Sequence, residues 1–174
     1  AKTFMFITGG GNPSEWSEFA NLSTGLINRN IAPAPVGGNV VRFDKTTISY
    51  IDGGLREPMK QAINNGCGFV NFLGHSGGRI WSLDIGPPAD LQNTDGRLPF
   101  IASVSCWIAG FADPGSVMLS EDFVLADNRA AIAAWGSSTT GYAQTGTDLV
   151  DYFLEAAKRD TIRDFGALTT IART

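Results

Sequence analysis

Two side chains of this chain are well suited to chemistry: His75, its only histidine, and Cys106, one of its two cysteines. Each follows a short apolar stretch, residues 68–73 before the histidine loop and residues 99–105 before the cysteine. An imidazole beside a thiol acts as a base, and the resulting thiolate is a strong nucleophile near neutral pH. The pair therefore predicts nucleophilic catalysis by a histidine–cysteine dyad.

The elements that must position these residues can be predicted from the apolar pattern. Continuous apolar stretches predict buried strands over residues 2–8, 39–43, 68–73, 100–105 and 130–135. Helical spacing predicts helices over 15–29, 50–65, 117–127 and 147–159, and a last helix from near residue 163. Ser14 is a candidate N-cap of the first helix, and Pro58 is expected to kink or shorten the second. Alternation of this kind predicts an α/β fold, a three-layer α/β/α sandwich around a mostly parallel sheet of about five strands.

Such a sheet would bring the dyad together. The carboxyl ends of parallel strands lie at one edge of the sheet, where ligands bind, and paired strands are about 4.8 Å apart. His75 and Cys106 both follow strands at that edge. Gly74, Gly77 and Gly78 allow backbone N–H groups to approach a substrate carbonyl, and we expect them to form an oxyanion hole with the N–H of Cys106.

Composition narrows the classes of function. The net charge is −4 and the 13 basic residues are scattered, which argues against nucleic-acid binding. No apolar run reaches the roughly 18 residues that span a membrane. Two cysteines are too few for a disulfide scaffold, and we expect Cys67 to be an inert packed thiol. With 174 residues we expect one domain, residues 1–174; the first strand begins with no signal peptide before it, so we expect a fragment of a larger chain.

Other chemistries are less well supported by the residues. Gly9-Gly10-Gly11 after the first strand raises the possibility of phosphate binding, but its spacing fits neither the dinucleotide fingerprint nor the P-loop. Metal binding needs more ligands than one histidine and one cysteine supply, and a Ser-His-Asp hydrolase would need a Gly-x-Ser-x-Gly turn. We therefore expect no metal and no cofactor. Taken singly, Cys106 is most often a packed thiol and His75 a surface or structural residue, so the prediction depends on their joint placement.

The two blocks resemble a known family. Gly74-His75-Ser76-Gly77 with Trp81, then Ser105-Cys106 with Gly110-Phe111 and Asp113, resemble the gingipain family of cysteine peptidases. That family belongs to the caspase-like group, in which one hydrophobic strand ends in His-Gly and the next in Ala/Ser-Cys. The likeness continues through Ser120-Glu121, the 130–137 strand and the 148–157 helix, so it covers nearly the whole chain.

The resemblance implies a caspase-like fold and a role for each matching residue. His75 would be the general base and acid, Cys106 the nucleophile, and Gly77 with the Cys106 amide would hold the oxyanion. Trp135 and Ser76 would contact the substrate, although core packing is an equally good interpretation of Trp135. The resemblance further implies peptide or protein substrates, other domains in the parent chain, and a bacterial protein that is secreted or attached to the cell surface. Relatives bind calcium, but no Asp-rich loop here resembles a dedicated site.

The sequence also departs from the family pattern. Ser76 stands where the family has glycine after the histidine, and the first strand ends in glycines where relatives carry acidic residues. Asp44, Asp84 and Asp113 are therefore all candidates for an acidic partner of His75, and none is favoured. Two alternatives stay open: a caspase-like binding or assembly module without turnover, and a flavodoxin-like or other ligand-binding α/β domain.

Overall fold

The computed structural model describes residues 2–49, 53–159, 162 and 164–174. The strands are β1 (Thr3–Thr8), β2 (Asn39–Asp44), β3 (Phe69–Leu73), β4 (Phe100–Ser103) and β5 (Ala133–Gly136). The α-helices are α1 (Pro13–Leu26), α2 (Gly53–Asn64), α3 (Leu119–Leu125), α4 (Ala143–Arg159) and α5 (Phe165–Ile171). A π-helical turn at Ile27–Ile31 extends α1, and a short 3-10 turn lies at Pro88–Asp90.

The five strands form one sheet in the order β2-β1-β3-β4-β5, and every pairing within the described residues is parallel. Thr8 at the end of β1 pairs with Leu73 at the end of β3, and Asn71 pairs with Ala102 of β4. The buried Asn71 amide also donates to the Ala102 carbonyl at 3.0 Å, a side-chain link between β3 and β4. The ends of β1, β3 and β4 therefore lie side by side at one edge, which confirms the common edge predicted for the strands before His75 and Cys106.

Helices cover both faces of the sheet because its strands carry apolar residues in both directions. On one face, Met5 and Ile7 of β1 pack with Met59 of α2 and with residues of α3. On the other face, Phe6 packs with the apolar sides of α1, α4 and α5, and Phe153 of α4 stacks on Phe100 of β4 with ring centroids 5.2 Å apart. The predicted α/β/α sandwich is confirmed.

The helix boundaries differ from the prediction in ways the local bonds explain. Asn12, not Ser14, is the N-cap of α1, because its side chain accepts the N–H groups of Ser14 and Glu15. Pro58 lies inside α2 without ending it, whereas the predicted start at residues 50–52 lies outside the described residues. Helix α4 begins four residues before the predicted Thr147, with the Thr147 hydroxyl bonded to the Ala143 carbonyl at 2.7 Å.

Two strands are shorter than predicted. The predicted start of β5 at Ala130 is wrong, because the Ala130 N–H donates to the Asn93 side chain at 2.9 Å and the Ala131 N–H to the Phe123 carbonyl at 3.0 Å. Ala130 also has a φ of 68°, which no strand residue adopts. Strand β4 ends at Ser103, two residues before the predicted end. No helix in the described part of the chain is long and apolar enough to cross a membrane.

Candidate active site

His75 lies on a short loop that closes on itself. After β3 the chain turns outward and returns, so that Ser82 N–H donates to the His75 carbonyl at 2.8 Å and Gly77 N–H donates to the Ile80 carbonyl at 3.0 Å. Trp81, only 1% exposed, anchors the returning chain in the core. The histidine backbone is therefore held at the strand end while its ring projects outward, 54% exposed.

The first turns of α1 hold the His75 ring. Its Nε2 lies 2.8 Å from Oε2 of Glu15, and the ring packs edge-on against Phe19 with centroids 5.8 Å apart. Residues four apart lie on the same face of a helix, so Glu15 and Phe19 contact one ring together. In the neutral tautomer whose Nε2–H donates to the carboxylate, Nδ1 carries the lone pair of the ring.

Glu15 is itself fixed at the start of α1. The Asn12 side chain caps the helix, and Glu15 Oε2 accepts the Gly11 N–H at 2.7 Å. The Gly11 N–H is the largest cause that lowers the pKa of Glu15 below its usual range, and the hydrogen bond from His75 is the next. A carboxylate in the first helical turn is further favoured by the helix dipole. Glu15 therefore faces His75 as an anion near neutral pH.

Glu15 was not among the acids considered from the sequence. Those three bond elsewhere: Asp44 with Arg42, Asp84 with Arg56, and Asp113 with the Gly115 N–H. The available signal was topological, because a strand order that places β1 beside β3 also places the acid after β1 beside the histidine after β3.

Cys106 lies beyond β4 on a second loop. Its Sγ is 3.4 Å from both the N–H and the carbonyl oxygen of Gly141, which follows β5. The next residue, Trp107, has a left-handed φ of 58° and donates its N–H to the Thr139 carbonyl at 2.8 Å. The main chain after β5 therefore lies directly along the nucleophile candidate and its neighbour.

The histidine and cysteine loops are joined by a hydrogen bond. The Ser76 hydroxyl donates to the Cys106 carbonyl, so the residue after the histidine contacts the main chain of the cysteine. In the described part of the chain, however, the His75 ring and the Cys106 thiol make no hydrogen bond to each other, because Glu15 and Gly141 hold them. The structure therefore joins the two loops through Ser76, while the imidazole and the thiol each bond a different neighbour.

Two further predicted site residues, Gly77 and Trp135, have other contacts in this structure. The Gly77 N–H, expected at the oxyanion, closes the histidine loop by donating to Ile80. The N–H groups of Ser76 and Cys106, by contrast, donate to no group among the described residues. Trp135 is partly buried and packs on Phe153 with centroids 5.8 Å apart, which is the core-packing interpretation.

The glycine run after β1 has no amide to offer a phosphate. Gly9 N–H donates to the Leu73 carbonyl at 2.8 Å, Gly10 N–H to Ser82 Oγ at 3.1 Å, and Gly11 N–H to Glu15. Gly10 has a φ of 126°, a conformation that requires glycine. This tight turn connects β1 to the acid-bearing helix, and the geometry argues against nucleotide binding.

The second thiol, that of Cys67, is held in its protonated, unreactive form by burial. Cys67 is buried, and burial raises its pKa to about 11. Among residues 2–49, 53–159, 162 and 164–174, no group of three or more His, Cys, Asp or Glu side chains is placed to hold a metal ion. Within those residues, Glu15, His75 and Cys106 therefore remain the candidate residues for chemistry.

A parallel α/β/α sandwich with a histidine and a cysteine after adjacent strands is the architecture of the caspase-like cysteine peptidases. The chain belongs to peptidase family C25, whose family model matches residues 2–174.

Solved structures share the fold at low sequence identity. The crystal structure of the Arg-specific cysteine proteinase gingipain R aligns with a TM-score of 0.71 and 19% identity, covering 98% of this chain and 40% of that one. The complex of Porphyromonas gingivalis RgpB pro- and mature domains aligns with a TM-score of 0.69 and 18% identity, covering 98% and 41%. A third structure, described as a protease, covers 82% of this chain and 30% of its own, with 17% identity and a TM-score of 0.61. No curated protein sequence matches the chain.

Proposed function

We propose that this chain is the catalytic domain of a cysteine endopeptidase, with Cys106 as nucleophile and His75 as general base and acid. The observation that carries the proposal is the joining of the two loops at the edge of the sheet: Ser76 bonds the Cys106 carbonyl, while Glu15 holds the His75 ring beside it. Membership of peptidase family C25 supports the same class of reaction. The chain spans about two fifths of the gingipain R chains it aligns with, so the activity is assigned to this chain as a proposal.

The reaction follows from the atoms available. Rotation of Cys106 about its side-chain bond takes Sγ from Gly141 toward the imidazole, whose Nδ1 accepts the thiol proton. The thiolate attacks the substrate carbonyl carbon, and the carbonyl oxygen takes the negative charge. The imidazolium then returns its proton to the leaving amine, which releases an acyl-enzyme for hydrolysis by water. Glu15 stabilises the imidazolium and keeps the Nε2–H tautomer in the neutral ring.

Backbone N–H groups would stabilise the oxyanion. The Cys106 N–H is without a partner in the described chain, and so is that of Ser76. The Gly77 N–H can take part only if its bond to Ile80 opens. Gly77 would therefore serve as a donor only after a loop movement, whereas the Ser76 N–H beside it is already without a partner among the described residues.

Substrate contacts and context extend the proposal. Peptide or protein substrates follow from the reaction. Ser76 lies beside the nucleophile, and Trp135, which packs on Phe153 and is only partly buried, would also contact the substrate. We infer that residues 1–174 form one domain of a longer bacterial protein that is secreted or held at the cell surface. Support comes from the longer chains of the structural neighbours, one of which is described with pro- and mature domains.

A binding module without turnover is the second candidate. It is favoured by one observation: the thiol is bonded to Gly141 and the imidazole to Glu15, not to each other. Serine after the histidine, in place of glycine, is consistent with the same interpretation. The two candidates differ in whether His75 activates the thiol of Cys106.

The deciding experiment measures the rate at which iodoacetamide alkylates Cys106 at pH 7, in the wild type and in His75→Ala, with mass spectrometry to locate the label. Fast labelling at Cys106 that collapses without His75 supports the peptidase. Slow labelling in both proteins supports the binding module. Hydrolysis of a mixed peptide library, with Cys106→Ala as the blank, then tests turnover, and hydrolysis that persists in purified Cys106→Ala protein would exclude Cys106 as the nucleophile.

A further inference from the structure

Ser82 is a buried serine, 3% exposed, each of whose polar atoms bonds a different segment. Its N–H donates to the His75 carbonyl at 2.8 Å, and its Oγ accepts the Gly10 N–H at 3.1 Å. Its carbonyl accepts the buried Lys45 ammonium at 2.5 Å. The loop after β1, the residue after β2 and the loop after β3 therefore meet at this one residue.

These bonds form a closed cycle through the candidate site. The Ser82 N–H donates to the His75 carbonyl, and Nε2 of the His75 ring lies 2.8 Å from Oε2 of Glu15. Glu15 accepts the Gly11 N–H at 2.7 Å, and the adjoining Gly10 N–H returns to Ser82 Oγ. A closed cycle restrains the distance between the carboxylate and the imidazole from two sides, whereas an open chain of bonds restrains it from one.

We propose that Ser82 is a positioning residue for the reaction: its hydroxyl fixes the Gly10-Gly11 peptide and thereby holds the Glu15 carboxylate against His75. The proposal rests on the proposed peptidase function for its kinetic consequence. Its geometric content, the orientation of the His75 ring, does not depend on turnover.

The fit between Ser82 and the glycine run supports a specific role. A Cβ on Gly9 would lie 2.1 Å from Ser82 Oγ, so the hydroxyl occupies space that only glycine leaves open. Gly10 is buried, and without Ser82 Oγ its N–H would face no acceptor. Gly10 is also held from the other side, since the Trp16 indole N–H donates to its carbonyl at 3.2 Å.

The kinetic test is a double-mutant cycle between Ser82→Ala and Glu15→Ala. We expect Ser82→Ala to lower kcat about fivefold with KM nearly unchanged, because the cycle orients catalytic groups without touching substrate. The double variant should lose no more than Glu15→Ala alone, since both changes open the same cycle. The proposal would be overturned if the fall in kcat of the double variant equalled the product of the two single falls. It would also be overturned if Ser82→Ala acted by raising KM and left kcat unchanged.

The matched control is Ser103→Ala. Ser103 is also a buried serine, 1% exposed, and it accepts one hydrogen bond, from the Trp81 indole at 3.0 Å, outside the cycle. Its loss should lower stability to a similar extent while leaving kcat within about twofold. An equal loss of kcat in Ser103→Ala would make the Ser82 effect merely structural.

A second experiment does not require the protein to be active. His75 is the only histidine, so a histidine signal in an NMR spectrum reports on this ring alone. Nitrogen-15 NMR of histidine-labelled protein should show the Nε2–H tautomer in the wild type and in Ser103→Ala, and a mixture of tautomers in Ser82→Ala. If Ser82→Ala does not fold, Trp16→Phe loosens the same Gly10 peptide and should shift the same signals by a smaller amount. Unchanged ring-nitrogen shifts in the folded variants would refute the positioning role even if the wild type hydrolyses no peptide.

Discussion

Replacing Glu15 by glutamine or by alanine separates the charge of this side chain from its shape. Glutamine keeps an acceptor for the Gly11 N–H and the His75 ring, whereas alanine removes it. Both bonds end on the same oxygen, Oε2, at 2.7 Å and 2.8 Å. We therefore expect catalytic efficiency to fall in the order wild type, Glu15→Gln, Glu15→Ala.

The size of each step follows from the exposure of the pair. A hydrogen bond to a charged group contributes about 1.5–3 kcal/mol, and the half-exposed ring, with a carboxylate 30% exposed, points to the low end, about 1.5 kcal/mol. A neutral bond is roughly half as strong. Since about 1.4 kcal/mol is tenfold, Glu15→Gln should lower kcat/KM about three- to fivefold and Glu15→Ala about tenfold.

The assay is kcat/KM on one peptide at pH 7, with Glu18→Gln as the control. Glu18 is an exposed acid one turn further along α1, and its change should leave kcat/KM within about twofold. Wild-type values in folded Glu15→Gln and Glu15→Ala would refute the assignment of Glu15 to the site.

Stability should depend on pH with a definite sign. The folded-state pKa of Glu15 is lowered, so its contribution is complete above its ordinary value of about 4.3 and is lost as the pH falls through the folded value. The difference in unfolding free energy between the wild type and Glu15→Gln should therefore be constant near neutral pH and shrink in acid. A difference that grows as the pH falls would contradict this linkage.

Three further outcomes are expected. Iodoacetamide at pH 7 should label Cys106 and leave Cys67 unmodified in the folded protein, because burial raises the pKa of Cys67 to about 11; a label on Cys67 by mass spectrometry would contradict this. Ser76→Ala should lower the unfolding free energy by about 1 kcal/mol and reduce kcat, because the bond to the Cys106 carbonyl is lost; denaturation midpoints and kcat check it, and unchanged values would show that this bond contributes nothing. Gly9→Ala should destabilise the fold by about 1–3 kcal/mol, whereas Gly68→Ala, whose Cβ would meet nothing within 4 Å, should be nearly neutral in the same thermal melts; equal melting temperatures would contradict the crowding at Gly9.

The sheet could be predicted because its strands are buried on both faces and their apolar stretches are continuous. That placed His75 and Cys106 at one edge, and the parallel order confirms it. Boundaries were less accurate where a side chain or a left-handed residue redirects the backbone, as Asn93 does at Ala130. Such bonds join residues far apart in the chain, so no local pattern reports them.

The acid was missed for a related reason. Glu15 is an ordinary first-turn helix residue in the sequence, and only the packing of α1 over the end of β3 brings its carboxylate to His75. The hydrogen bond from the Gly77 N–H to the Ile80 carbonyl could not be predicted either, because the sequence around a glycine does not show whether its N–H is free or bonded. Residue type and placement after two strands were enough to propose His75 and Cys106 as a dyad, whereas the hydrogen bonds that hold each side chain depend on tertiary structure.

The spread of the site along the chain has a consequence for folding. Glu15 lies near the beginning, and Gly141, which holds the thiol, follows the last strand, so the site draws on contacts distant in sequence. Parallel pairings of this kind form slowly, because the chain between them must be ordered first. A chain that has only partly emerged or partly folded therefore lacks the assembled site. Any activity would appear as the last strand docks, and its recovery during refolding would report completion of the whole sheet.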